Sequence, residues 1–538
     1  MAIKLIGKRL KQLRKHLGLS QKEFADRLHT SSGYISEIEQ SKKIPGGELL
    51  FLLRQNFDAN INWILAGHGD MLFLGPENQD RTGPEETEPL SGMIEGSNST
   101  TSSRINLEDL QVLIHLTEIA DHNELIQIHK LANSYLDKAL AAHYPERFRN
   151  GMRYISSHRQ DVVRFLHGYY QASSSLHTEA QTIRYSGLNN EPHDLPLITR
   201  ENLIYQNNNN LEVKSAYSDE TIVTPQLSPD EIIREIVNWT ASKLQIWDDP
   251  LYTINKLEDT LKITFRLTRF LNYRVSYGSV ADELAVAIAT HGIAELSRSF
   301  GSLLPKRNRF LGSLDAFLNF STRLCVGGVT VLFAARTEDN DIDIILQRRS
   351  LHVSDEPGSF TVIPRAFHQP VINPLKEVDV PTTIYRECYE ELFGGEAEPD
   401  QRRHISSHYF LTQCPGVAEL YVGQNGKNHY LQPLGIVWDL VKGTYAIAYC
   451  LYVHDPEWWQ KYQHGIRVNW EVDTKVEPVV RLSQTNLIHN LIQRREWAPE
   501  AYFTFIEGLR WLAQNEKKLA NIKSILPQLD ITPLKPML

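Results

Sequence analysis

Leu19-Ser-Gln-Lys-Glu-Phe-Ala-Asp-Arg-Leu-His-Thr-Ser-Ser-Gly-Tyr-Ile-Ser-Glu-Ile-Glu39 holds two short helical signals around a polar turn. Ser20 stands three residues before Glu23, the spacing at which each side chain satisfies the other's backbone N–H at a helix start. Phe24, Ala25 and Leu28 then recur at helical spacing. His29 to Ser31 form the turn. A second helix follows, with Ile35 and Ile38 inward and Ser32, Gly33, Ser36 and Glu37 outward. Two short helices joined so tightly fit a helix-turn-helix, whose second helix lies in a DNA major groove.

Charge around this stretch agrees. Lys4, Lys8, Arg9, Lys11, Arg14 and Lys15 all precede Glu23, the first acidic residue. Such a local excess suits phosphate neutralisation. The whole chain has a formal net charge of −9, so the rest of it is not a nucleic-acid surface.

On these residues, positions 1–73 resemble the Xre/Cro family of phage-repressor-like regulators. The resemblance adds a first helix over 3–17 and two closing helices near 47–56 and 60–66, the last running into Ile61-Asn-Trp-Ile-Leu-Ala-Gly-His-Gly-Asp-Met71. It implies that Gln21 touches phosphate or a base, that Ser32, Gly33 and Glu37 face base edges beside Tyr34, and that Lys42 and Lys43 sit on the DNA backbone. Ser and Gly specify bases weakly, so the operator is not readable. The implied partner is double-stranded DNA, with no cofactor required for binding it.

A chain of 538 residues exceeds one core. Its 41% apolar and 22% charged content is that of a soluble globular protein. Residues 74–104 read as a flexible linker, with Pro76, Pro84 and Pro89, an acidic run and Ser97-Asn-Ser-Thr-Thr-Ser-Ser103. Residues 105–148 read as helical, either a homodimer contact or a layer against the body of the same chain. Residues 149–322 read as a mixed α/β domain of unknown role. Within it Ser228-Pro-Asp-Glu231 starts a helix and Leu261 to Leu267 alternate as a strand. Phe270-Leu-Asn-Tyr-Arg274 reads as packing. The four cysteines, 325, 388, 414 and 450, show no pairing or metal spacing, so free thiols in a reducing cytoplasm are expected. No charged-then-apolar leader opens the chain and apolar runs are short, so no membrane is expected.

The second informative stretch starts at Gly327-Gly-Val-Thr-Val-Leu-Phe-Ala-Ala335, a buried-strand run, with Ile342 to Arg349 completing a hairpin. Ser359 to Pro364 is extended. Thr383-Ile-Tyr-Arg-Glu-Cys-Tyr-Glu-Glu-Leu-Phe-Gly394 reads as a helix on which Glu387, Glu390 and Glu391 share one surface. Three carboxylates on one helical surface repel unless a cation joins them, and their oxygens suit Mg²⁺ or Mn²⁺.

Here residues 323–510 resemble the Nudix family, whose helix bears Arg-Glu-x-x-Glu-Glu-x-Gly. Arg386, Glu387, Glu390 and Glu391 match it residue by residue. The resemblance implies that the glutamates hold metal on a diphosphate and that the arginine orients one of them. The chain departs from the pattern in places. Phe393 stands where the family has glycine, Pro364-Arg365-Ala366 replaces Pro-Gly-Gly, and Val378 stands at the upstream glutamate. Arg365 and His368 are candidates for an anionic ligand.

The expected fold is therefore multi-domain: an all-α helix-turn-helix head, then an α+β body containing a Nudix-like α/β/α sandwich over 323–510, and a C-terminal tail over 511–538. The expected function is a sequence-specific, DNA-binding transcriptional regulator, homodimeric and cytoplasmic, whose body senses a nucleotide-like ligand. The alternatives are an active Mg-dependent hydrolase of nucleoside-diphosphate-linked compounds with a DNA-binding head, or a protein-interaction scaffold.

Overall fold

The computed structural model of the chain describes residues 2–28, 30–40, 42–43, 49, 52–53, 57, 59, 64, 71, 122–173, 180–187, 191–206, 211–220, 227–244, 248–299, 301–349, 356, 358–395, 408–423, 425–466 and 479–534. The expected linker over 74–104, the helical stretch 105–121 and most of the two closing helices of the head lie outside the described residues. The chain divides into two compact units, residues 1–100 and 101–538.

In the first unit, α1 (Ala2–His16), α2 (Gln21–Arg27) and α3 (Ser32–Glu39) enclose a core of Leu10, Leu13, Phe24, Leu28, Ile35 and Ile38. The cap expected at Ser20 forms: its N–H donates to Glu23 Oε2 at 2.8 Å, and the Glu23 N–H donates to Ser20 Oγ at 3.2 Å. Ser31 caps α3 by accepting the Tyr34 N–H at 3.2 Å.

The second unit opens with α4 (His122–Ala141), α5 (Tyr144–Ser157) and α6 (Arg159–Ser173). Strands β1 (Gln181–Ser186), β2 (His193–Thr199) and β3 (Lys214–Tyr217) follow, then α7 (Pro229–Ala241), β4 (Pro250–Leu257), β5 (Lys262–Arg269), α8 (Phe270–Arg274), α9 (Ser279–His291) and α10 (Pro305–Leu311). Next come β6 (Gly327–Arg336), β7 (Ile342–Arg348), β8 (Phe360–Val362), β9 (Arg365–Phe367) and α11 (Val380–Glu387), which runs into a π-turn at Cys388–Leu392. The unit ends with β10 (His429–Asp439), β11 (Tyr445–Val453), α12 (Pro456–Tyr462), β12 (Val479–Arg481), α13 (Pro499–Asn515) and β13 (Gln528–Pro533).

Among the described residues the strands form two sheets. The larger runs β12-β7-β6-β11-β10-β2-β1-β13, with β8 on β7 and β9 on β6, and the smaller runs β3-β5-β4. β6 and β11 are parallel, whereas β6 and β7 make the expected antiparallel hairpin. Along β6, Val329, Val331 and Phe333 enter one core while Leu332 and Ala334 enter another with α13. Cover on both faces explains why β6 reads as an unbroken apolar run.

Sheet pairing crosses two of the expected boundaries. Residues 149–322 and 323–510 are not separate domains, because β1 and β2 join the larger sheet through β10. Residues 511–538 are not a tail: β13 pairs with β1 in register from Gln181–Pro533 to Ser186–Gln528. The apolar stripe of α4, expected either at a homodimer contact or against the body of the same chain, packs inside the chain: Ile128, Ala132 and Leu136 bury against Ile232, Ile233 and Ile236 of α7. The cap of α7 at Ser228 forms with Glu231, as its spacing required.

All four cysteines are free and buried. Among the described residues no helix is long and apolar enough to cross a membrane.

One buried side chain gives a pH prediction. His193 in β2 is 1% exposed, packs against Tyr502 with tilted rings 4.7 Å apart, and neither ring nitrogen has a hydrogen-bond partner among the described residues. Burial, with the charges of Arg159 and Arg495, pulls its pKa well below the ordinary 6.5. The stability it contributes is therefore present above pH 6.5 and lost as pH falls through that value, because only the unfolded chain takes the proton. His193→Phe keeps a ring against Tyr502 and removes the proton site. Its urea stability should fall less steeply than wild type between pH 6.5 and 5, by about 1.4 kcal/mol per pH unit.

Candidate functional site

The two units offer two candidate sites. In the head, α3 presents Ser32 and Gly33 to solvent, with Glu37 and Tyr34 partly exposed beside them. This is the outward face its sequence pattern required. Lys43 bonds Glu37 at 2.8 Å and lies 5.7 Å from the Tyr34 ring centroid, and Lys42 is exposed. Gln21 sits at the start of α2, and its amide donates to Glu39 Oε2 at 2.8 Å.

Glu39 organises this end of the head. It accepts Arg14 Nε at 2.6 Å and Arg14 Nη2 at 3.0 Å, a fork-to-fork pair. Burial pushes the Glu39 carboxyl up, but the bonds from Arg14 and Gln21 outweigh it and hold it below the usual range. Arg14 is thus spent inside the domain, while Lys8, Lys11 and Lys15 stay exposed for phosphate.

The second unit contains a cavity of about 540 Å³. One wall comes from β6, β9, the α11 turn, the β10–β11 turn and the start of α13, and it is charged. A second wall comes from α5, α6, α8 and α9, is largely apolar, and meets Phe367 of β9 through Phe270. Close helix approach builds that apolar wall: a Cβ on Gly151 of α5 would overlap the Ala285 carbonyl of α9.

All three helix carboxylates expected from the sequence line the cavity, and each has a distinct partner. Glu387 accepts Arg386 Nη2 at 2.7 Å. Glu390 accepts the Tyr409 hydroxyl and lies 3.8 Å from Arg386 Nε. Glu391 accepts the Arg365 backbone N–H at 2.7 Å. Arg386 itself is buried and donates to the Gln369 carbonyl at 2.9 Å. Burial pulls against its charge, but Glu387 and Glu390 outweigh it and raise its pKa.

A second carboxylate group was not legible in the sequence. Glu356, Asp439 and Glu500 bring one oxygen each within 4.8 Å of one another. Arg365 ion-pairs with Glu356 at 3.2 Å and with Glu500. Lys442 pairs with Glu356 at 3.0 Å and lies 3.6 Å from Glu500. Burial pushes Asp439 up to about 7 against the pull of Lys442, and Glu500 and Glu356 add to the rise. Arg365 therefore joins both groups, its backbone on Glu391 and its guanidinium on Glu356 and Glu500.

His368 is corrected. It is fully buried, bonds Thr383 Oγ1 at 2.7 Å and the Val378 carbonyl at 3.1 Å, and packs 4.3 Å from the Tyr252 ring. Burial, with Arg386, takes its pKa down to about 3. It is a neutral core residue and does not line the cavity. The segment Phe270 to Arg274, read from sequence as packing, does line it with Phe270, Tyr273 and Arg274.

The oxygen-donor chemistry of Glu390 and Glu391 fits a hard divalent cation, since Mg²⁺ takes one or two carboxylates and fills its shell with water and phosphate oxygens. The Glu356 group already carries Arg365 and Lys442 as counter-charges.

Residues 7–70 match the helix-turn-helix domain family. No curated protein matches the chain. The match supports a DNA-binding regulator, with a helix-turn-helix region at the N-terminus and an α+β body of mixed sheets behind it.

Proposed function

We propose that this chain is an Xre-type, sequence-specific transcriptional regulator whose body is a Nudix-like sensor of a nucleotide derivative. The observation that carries the sensor reading is the 540 Å³ cavity, with a charged wall and a largely apolar one. Its volume falls in the range of roughly 300–1,000 Å³ typical of small-molecule sites. Arg386, Glu387, Glu390 and Glu391 would place Mg²⁺ or Mn²⁺ at the charged wall, where the ion would neutralise phosphate charge. Ligand binding shifts DNA affinity only if the two DNA-binding states take the ligand unequally.

In the head, Gln21, Ser32, Gly33, Tyr34 and Glu37 would meet the duplex, with Lys42 and Lys43 on its backbone. Gln21 and Glu37 leave their partners Glu39 and Lys43 to do so, or contact DNA through them. A homodimer would set two recognition helices on two half-sites, through a surface other than the α4 stripe.

The test is duplex binding to the region upstream of its own coding sequence across a salt series. Lys42→Ala with Lys43→Ala should weaken binding about equally on all sequences and reduce the log–log salt slope by about 2. An unchanged slope removes these lysines from the interface, and no salt-dependent binding in wild type rejects the regulator.

Hydrolysis remains the second reading because the four helix residues are present. A turnover assay with Mg²⁺ or Mn²⁺ and nucleoside-diphosphate conjugates separates the two. The sensor reading expects no cleavage, and cleavage that vanishes in Glu391→Gln makes the body an enzyme.

A further inference from the structure

The segment Phe270 to Arg274 belongs to neither recognised motif, yet its ring enters the cavity. Phe270 is partly exposed there and meets Phe367 of β9 edge-on, with ring centroids 6.1 Å apart. Met152 and Ile155 from α5 and Leu244 after α7 complete this wall. Arg274 is fixed beneath it, bonded to Asp282 at 2.7 Å and stacked 4.9 Å from the Trp239 ring. The wall is thus an aromatic and aliphatic surface with one ion pair, Arg274 and Asp282, on the cavity lining.

The charged wall carries Glu390, Glu391, Arg365 and Lys442. A ligand filling both walls must be apolar and flat at one end and multiply charged at the other. A simple anion would leave the Phe270 wall facing water, and a purely apolar compound would strip water from the charged wall without replacing its hydrogen bonds.

We propose that the wall of Met152, Leu244, Phe270 and Phe367 is a base subsite: it holds the aromatic ring of a nucleoside diphosphate whose phosphates lie at the charged wall. This rests on the reading of the body as a nucleotide sensor and adds which face takes the base. The ring stacks on Phe270, and its polar edge is within the lining that includes Asp282 and Gln369.

The test is calorimetric titration of the full chain in Mg²⁺ with ADP, GDP, CDP, UDP and inorganic pyrophosphate. Wild type should bind at least one nucleoside diphosphate about tenfold or more tighter than pyrophosphate. Phe270→Leu keeps an apolar side chain in the wall but removes the ring, and should erase that advantage while leaving pyrophosphate unchanged. Phe270→Ala should do the same, and its melting curve reports whether it folds. Equal binding of pyrophosphate and all four nucleotides to wild type overturns the base subsite while keeping the phosphate site. So does equal weakening of nucleotides and pyrophosphate by Phe270→Leu. Failure of wild type to bind any of the five overturns the underlying sensor reading.

Discussion

Glu39→Ala should unfold about half or more of the heads and weaken duplex binding while the body melts as in wild type. The Glu39 side chain is 2% exposed and is bonded to both Arg14 and Gln21. Removing it leaves the Arg14 guanidinium enclosed without a counter-charge, a loss on the order of 3–5 kcal/mol. A single core in fewer than about 70–80 residues rarely supplies more than about 3–5 kcal/mol in total. The loss is therefore comparable to the whole stability of the domain, so about half or less of the heads stay folded and apparent duplex affinity falls about twofold or more. Circular dichroism melts together with duplex titration at fixed salt would show it. Arg14→Met with Glu39→Met replaces the pair by apolar groups of similar length and should restore folding, since a buried pair is often matched by packed hydrophobes. Glu39→Ala binding DNA as wild type does would mean that the pair contributes little.

Arg307→Met should destabilise the entire body by roughly 3 kcal/mol or more in one transition. Arg307 is fully buried on α10 and donates to the Leu440 and Val441 carbonyls at 2.7 Å each and to the Tyr170 hydroxyl at 3.0 Å. It ties residues before 322 to the β10–β11 turn that carries Asp439 and Lys442. Methionine fills the volume but leaves both carbonyls without these donors. If the body is one cooperative unit, tryptophan fluorescence and far-ultraviolet dichroism will lose structure together in urea. Two separated transitions, with only the earlier one moved, would restore the boundary at 322 that the sequence suggested.

The elements that could be read from the sequence were those fixed by local chemistry. The Ser20–Glu23 and Ser228–Glu231 caps are three residues apart, so their reciprocal bonds follow from spacing alone. The β6–β7 hairpin and the Arg386 to Glu391 helix also announced themselves through short-range pattern. What could not be read depends on pairs far apart in the chain. β13 joins β1 across some 350 residues, and no periodicity encodes that. Glu356, Asp439 and Glu500 meet only because a loop, a strand end and a helix start converge. Glu500 stands in the first turn of α13, and Asp439 ends β10 and accepts the Val441 N–H at 2.7 Å, so each has a local role that hides its part in the cluster. His368 failed for the opposite reason: its polarity suggested a ligand, but Thr383 and the Val378 carbonyl satisfy it inside the core.

The central claim is that a ligand in the body changes how the head holds DNA. It is tested most directly by duplex affinity of the full chain, measured at one salt concentration with Mg²⁺, with and without each nucleoside diphosphate at saturation. The account predicts that the nucleotide bound most tightly shifts duplex affinity by about five- to 150-fold, and that the duplex shifts nucleotide affinity by the same factor. A nucleotide that saturates the body and leaves duplex affinity unchanged would contradict it.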